Sequence, residues 1–306
     1  MAKRTPGDLH SPYREPSGLR PGQILHLETG RVLTEPELLD YLSHFPVVYV
    51  GETHDSLEDH EAELAILRGL DQRLPGRLAL GLEMLPRNTQ PDLDAYLRGE
   101  TEEGSFVKLW LKSWGHTFED YRGILHYARE HGIRVLALNV EDDLKRALRS
   151  GPPERLDPAI RSRLPELDLE DPYYRALNQS IFEAHSMGSR DPEAFLRVQA
   201  LWDETMAQTA AEFLRGQQGE GRHLVILAGG YHVKYGFGIP RRLFRRVPLP
   251  YAIVYPLAVE IAENKKDRLM DVKSPDLPIR PADFYWAVRY RGPDTPESKP
   301  AAAPDK

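Results

Sequence analysis

Five short apolar runs, four of them followed closely by a polar, reactive residue, constrain this chain more than any other feature of its sequence. They are 46–51 (PVVYVG), 78–83 (LALGLE), 133–139 (IRVLALN), 224–228 (LVILA) and 251–255 (YAIVY). Their apolar character is continuous rather than alternating, so each reads as a strand buried on both faces. Helical stretches lie between them. One follows Ser56, which can cap it with Asp59 at the third helical position, and places Leu57, His60, Leu64 and Leu67 on one stripe. Others cover roughly 88–131 and 141–216, the latter broken at Gly151-Pro152-Pro153. Strands alternating with helices predict an α/β fold: a mainly parallel β-sheet flanked by helices on both faces. The stretches between the second and fourth strands exceed what crossovers need. A smaller helical subdomain is therefore expected, inserted at roughly 141–216 and drawing in part of 88–131. Extended segments near Val259–Ala262 and Phe284–Val288 complete the expected sheet.

The chain has 306 residues, enough for a single large domain over 23–290, with a flexible polar leader at 1–22 and a Pro-rich, disordered tail at 291–306. It has no cysteine, which excludes disulfides, thiolate metal sites, cysteine nucleophiles and cysteine-linked lipid anchors. The formal net charge of −7 offers no basic field for nucleic acid. No signal peptide and no membrane span are read from the sequence, so a cytoplasmic protein is expected.

The reactive residues follow the apolar strands. Glu52 and His54 come after the first, Glu83 ends the second, Asn139 ends the third, and His232 lies just after the fourth. In a parallel sheet these carboxyl ends share one edge, where open α/β sheets bind ligands. Glu52 and His54 suit either a metal (Zn, Mn, Co or Fe) or an acid–base pair in which the carboxylate orients the imidazole. His60, one turn into its helix, reads as a satisfied core histidine or as a support for that turn. Glu83, between apolar neighbours, needs a partner: an ion, or an arginine such as Arg77 or Arg87. His232 sits in a glycine-rich loop without dinucleotide or P-loop spacing. Tyr231 and Tyr235 in that loop matter because phenolate, like imidazole, ligates haem iron. Asp203 and Glu204 read as solvated, His116 as capping a turn rather than reaching the site, and Arg241, Arg242, Arg245 and Arg246 as a solvated basic face, with a grip on carboxylates or phosphate as the alternative.

Taken together, GETHDSLEDH, GLEM, GIRVLALN, QALWDETMA and AGGYHVKYGFGIPRRL, in that order, resemble the ChaN-like haem-binding-uptake proteins of the Tiki superfamily. The resemblance covers roughly 45–250. It implies a parallel sheet with flanking helices and a smaller helical domain. It implies haem as cofactor, bound by a homodimer, with Tyr231, Tyr235, Tyr121 or His60 about the iron. Tiki-type members are metal-dependent proteases, which implies the alternative of a divalent-metal hydrolase acting on a small-molecule or peptide ligand. There His54, Glu83 and His232 hold the ion, and Glu52 is general base or a further ligand. The ChaN-type lipoprotein pattern includes a signal peptide and a lipobox cysteine, and this sequence shows neither.

Overall fold

The computed structural model describes residues 17–184, 191–269, 272, 277 and 279–292. The expected leader up to residue 16, the tail from 293 onward and His185 lie outside the described residues. The chain opens on a hairpin, β1 (Ile24–His26) and β2 (Arg31–Leu33), followed by α1 (Glu35–Leu42). Thr34 and Glu37 form a reciprocal capping box at the start of α1. Next come β3 (Val47–Glu52), α2 (Leu57–Arg73), β4 (Leu78–Pro86), α3 (Gln90–Leu97), α4 (Glu103–Ser113), α5 (Glu119–Glu130) and β5 (Arg134–Asn139). Helices α6 (Asp142–Ser150), α7 (Pro158–Arg161), α8 (Pro172–Ala184) and α9 (Pro192–Arg215) precede β6 (His223–Gly229). The short α10 (Gly230–Val233), α11 (Ile239–Arg246), β7 (Tyr251–Ile261) and β8 (Phe284–Tyr290) complete it.

The strands form one sheet in the order β2-β1-β8-β7-β3-β6-β4-β5. The six from β8 to β5 are parallel, and the β1–β2 hairpin adds antiparallel to β8. The α/β class and the mainly parallel sheet are as the apolar runs predict. Strand periodicity divides the core between two layers. Val48, Val50, Leu80 and Leu82 pack with α1 to α5, while Val47, Tyr49, Leu224 and Ile226 pack with α9 to α11. A third group of helices stacks on the N-terminal half of α9: Tyr174, Leu177 and Ile181 of α8 on one side, Leu144 and Leu148 of α6 on another. The stretch 88–131 lies elsewhere, because Leu93, Tyr96, Phe106, Trp110 and Ile124 pack into the sheet layer.

Several expectations need correction. Val259–Ala262 is no separate segment but falls in the distal end of β7, which runs on from Tyr251 to Ile261. The β1–β2 hairpin was not foreseen, its strands being three residues each. Strand β4 continues three residues past Glu83, through an irregularity in its pairing with β5 between Leu82 and Pro86. Ser56 gives no side-chain cap to α2; its hydroxyl donates to Asp59 Oδ1 at 2.6 Å, and Asp59 Oδ2 accepts from the Thr53 N–H at 2.8 Å. Leu57 is exposed, whereas His60 and Leu67 lie on the buried face of α2 as expected, joined there by Glu63, Ile66 and Leu70.

Candidate functional site

Strands β3 and β6 are neighbours and pair Glu52 with Gly229 at their carboxyl ends. That register brings the two distant histidine segments to one place. Glycine is required there by space. A Cβ on Gly229 would lie 2.6 Å from His54 Cε1, and one on Gly51 would lie 2.8 Å from Val233 Cγ2.

His54 Nδ1 is 2.7 Å from Glu52 Oε1, leaving Nε2 as the ring nitrogen open to chemistry. The same Glu52 oxygen accepts from the Tyr121 hydroxyl at 2.5 Å. Across the site, His232 Nδ1 is 2.7 Å from Asp203 Oδ1 on α9, and its Nε2 is 3.3 Å from Glu83 Oε1. Glu83 Oε2 accepts from the Gly229 N–H at 2.6 Å. Asn139 donates to the Glu83 carbonyl at 2.8 Å and so ties β5 to β4. Tyr174 donates to Asp203 Oδ2 at 2.7 Å. Two imidazole–carboxylate pairs therefore flank one further carboxylate.

Electrostatics follow from this pairing. Burial alone would raise Glu52 and Glu83. For Glu52 the charge and hydrogen bonds of His60 and His54 outweigh it and hold the carboxyl well below the usual range. For Glu83, His232, His54 and the Gly229 N–H do the same to a smaller degree. Burial would lower His232, but the charges of Glu83 and Asp203 push it well above 6.5. Glu52 raises His54 against the same burial cost. Both imidazoles are therefore shifted toward the protonated form, which a metal ion would have to displace.

Above the pairs opens a cavity of about 1270 Å³. Glu52, His54, Glu83, Asn139, His232 and Tyr231 line its floor side; Trp114, Phe195, Trp202, Leu257 and Ile261 supply apolar wall; Lys145 and Arg149 of α6 bring positive charge. Trp114 stacks edge-on against the His54 ring at 4.7 Å between centroids.

The structure thus brings Glu52, His54, Glu83 and His232 together, with Tyr231 on the same cavity. The other candidates fare differently. Tyr121 is buried and its hydroxyl is committed to Glu52, so it does not line the cavity. Tyr235 also lies outside the cavity lining; it stacks on Phe237 with a left-handed backbone (φ 60°). His60 sits beneath Glu52: its Nδ1 is 2.9 Å from Glu63 Oε2, and its Nε2 donates to the His54 carbonyl at 3.2 Å. Arg87 pairs with Glu141 and is not the partner of Glu83. Arg77 donates to the Gly221 carbonyl. Among the described residues, one group of three brings a ligand atom each within 4.8 Å of one another, and it is Glu52, His60 and Glu63. The trio named from the sequence, His54, Glu83 and His232, is not such a group.

Burial overturns one reading of polar residues and favours the second alternative in two others. Asp203 and Glu204 are buried, at 1 % and 0 % exposure, because α9 turns them inward between α8 and α11. Arg242 is wholly buried against Glu204 at 3.0 Å and over the Tyr174 ring at 4.0 Å, so the basic helix is only partly a solvated face. His116 faces the cavity, 5.5 Å from the His54 ring. Glu63 carried a signal that periodicity in apolar residues passes over: it lies one helical turn after His60 on the same face.

Over residues 38–243, two-thirds of the chain, the sequence matches the family model described as haem-binding uptake, Tiki superfamily, ChaN. A comparison with curated proteins finds no match. Among solved structures, the one describing cofacial haem binding to ChaN of Campylobacter jejuni is similar at 17% identity with a TM-score of 0.63, covering 88% of this chain and 97% of that one. An erythromycin esterase in its open conformation is similar at 15% identity and TM-score 0.46, covering 73% of each chain. The C-terminal region of Pasteurella multocida toxin is similar at 16% identity and TM-score 0.44, covering 76% of this chain and 28% of that one. At these identities the likeness is one of fold. Among the described residues no helix is long and apolar enough to cross a membrane.

Proposed function

We propose that this chain, which belongs to the haem-binding uptake family of the Tiki superfamily (ChaN), binds haem in the cavity above the carboxyl edge of its sheet. The observation that carries the reading is the cavity itself. Its volume of about 1270 Å³ exceeds that of a usual small-molecule site, and aromatic and aliphatic walls enclose a floor with a phenol and imidazoles. Haem needs apolar walls, an axial donor and cations for its carboxylates. Lys145 and Arg149 supply the cations. Tyr231 is the donor we assign to the iron, because of the three tyrosines named from the sequence it is the one that lines the cavity. Glu52, Glu83 and Asp203 bias the His54 and His232 rings toward the protonated form, so these serve better as donors to the anionic edges of a ligand. When bound, haem supplies iron chemistry; the chain's own residues bind it, orient it and exclude water.

The test is titration of the purified chain with haem, followed by visible absorption. Wild type shows a stoichiometric Soret shift, Tyr231→Phe loses it, and His54→Ala retains the shift with weaker affinity. A spectrum identical in wild type and Tyr231→Phe removes the assignment, and no Soret change at all removes the function.

A second reading rests on the flanking pairs. His232, oriented by Asp203 and set 3.3 Å from Glu83, has the arrangement of an acid–base group. A hydrolase acting on a small-molecule or peptide ligand in the same cavity uses His54 and His232 as proton donors and acceptors. Its divalent-metal form needs His54, Glu83 and His232 to draw closer. Metal content that vanishes in both His54→Ala and His232→Ala would favour that form over haem.

A further inference from the structure

Below the cavity floor lies a cluster of which the two readings involve only Glu52. Glu52, His60 and Glu63 meet where β3 runs out beside the first turn of α2. The side chains of both glutamates are wholly out of solvent and that of His60 is 4 % exposed. His60 Nδ1 is 2.9 Å from Glu63 Oε2 and 3.4 Å from Glu52 Oε2. Two more features single the cluster out. First, Glu52 Oε2 and Glu63 Oε1 are buried oxygens with no hydrogen-bond partner among the described residues. A buried carboxylate oxygen without a donor is costly, and here there are two in one small space. Second, His60 Nε2 bonds to a backbone carbonyl, that of His54. This fixes the proton on Nε2 and presents Nδ1 to the two carboxylates. Metal-ligating histidines are held in this way.

We propose that Glu52, His60 and Glu63 are the protein ligands of a closed divalent-metal site of the Zn²⁺, Mn²⁺, Fe²⁺ or Co²⁺ class, lying beneath the cavity floor and sharing Glu52 with it. One imidazole and two carboxylates suit ions of this class. Ligand atoms about 2.0–2.2 Å from a tetrahedral ion lie roughly 3.4 Å apart; His60 Nδ1 already stands 3.4 and 2.9 Å from the two carboxylates, and one ligand atom from each of the three residues lies within 4.8 Å of the others. The ion satisfies both orphaned oxygens. It also ties β3 to α2 directly under the Gly51–His54 turn, so it sets the position of Glu52 and hence of His54. The competing occupant is a proton. Burial and the Glu52 charge push the Glu63 carboxyl well above its usual range, and a proton on Glu63 would serve the same two oxygens.

Cobalt decides between them. The full chain is unfolded in denaturant with a chelator, refolded with or without Co²⁺, dialysed, and examined for bound cobalt and its visible absorption. The expected result is one equivalent in wild type and in His232→Ala, with affinity at least about 100-fold weaker in Glu63→Gln and His60→Ala. Folded wild type without stoichiometric cobalt overturns the inference in favour of the shared proton. Equal cobalt in Glu63→Gln and wild type overturns it too, as does loss in His232→Ala, which puts the ion in the cavity. If the Glu63 and His60 variants do not fold, NMR of cadmium-loaded wild type locates the ion through coupling to the His60 ring nitrogen, and absence of that coupling counts against the site. Failure here leaves the haem titration untouched, and failure of the haem reading leaves the cobalt result untouched.

Discussion

Replacing Gly229 by alanine probes the junction of β6 and the His54 turn with a single added methyl. The backbone there has φ −50° and ψ 137°, which alanine adopts freely, so the whole effect is steric. The new Cβ would lie 2.6 Å from His54 Cε1 and 2.9 Å from Nε2, against about 3.5–4.0 Å for an unstrained carbon contact. The ring must retreat by about 1 Å. That movement strains the 2.7 Å bond from His54 to Glu52, a charge-assisted bond of the kind worth about 1.5–3 kcal/mol. Overpacking of a dense site costs about 1–3 kcal/mol. The His54 side chain is 32 % exposed and can give way toward the cavity, so we expect a net loss of about 2 kcal/mol. Urea unfolding of wild type, Gly229→Ala, His54→Ala and the double variant closes a cycle. Once the ring is gone, the nearest remaining contact is Glu83 Oε2 at 3.5 Å, an ordinary one. The glycine substitution should then cost under about 0.5 kcal/mol, giving a coupling of about 1.5 kcal/mol. A cost for Gly229→Ala that is the same with and without His54 refutes the packing described here.

Three further outcomes follow from the same contacts. In Glu83→Gln, NMR titration should show the His232 ring deprotonating at lower pH than in wild type. Because Glu83 is lowered and His232 raised, the stability their pairing adds is full between about pH 4.5 and 6.5. It fades as acid protonates Glu83 and as rising pH passes the folded value of His232, so a stability gap between variant and wild type that is flat with pH contradicts the pairing. Glu204→Ala leaves Arg242 buried without its carboxylate, 3.0 Å away in wild type, and should cost about 3–5 kcal/mol in chemical denaturation. Thr34→Ala removes the capping box of α1 and should cost about 1 kcal/mol without changing haem titration.

Much of the fold could be read from the chain because a parallel strand covered on both faces must be apolar throughout, and few other elements look like that. Placing Glu52, His54, Glu83 and His232 along one edge needed only the direction of those strands. What escaped was polar burial. Asp203, Glu204 and Arg242 look solvated in sequence, since a charge is normally outside unless paired, and pairing across α8, α9 and α11 is a tertiary event. Glu63 escaped for the same reason. The β1–β2 hairpin escaped because its strands are too short for alternation to register, and their place is set by β8, some 260 residues later.

The sheet order has a consequence for how the protein is made. Strand β6 inserts between β3 and β4, yet it is synthesised about 140 residues after the last residue of β4. Until it emerges, β3 and β4 each present an unpaired edge, and such edges are slow to satisfy and prone to wrong pairing. His54 gains its opposite wall only when β6 zips in between β3 and β4. Completion of the pocket is thus a late event in the life of each molecule.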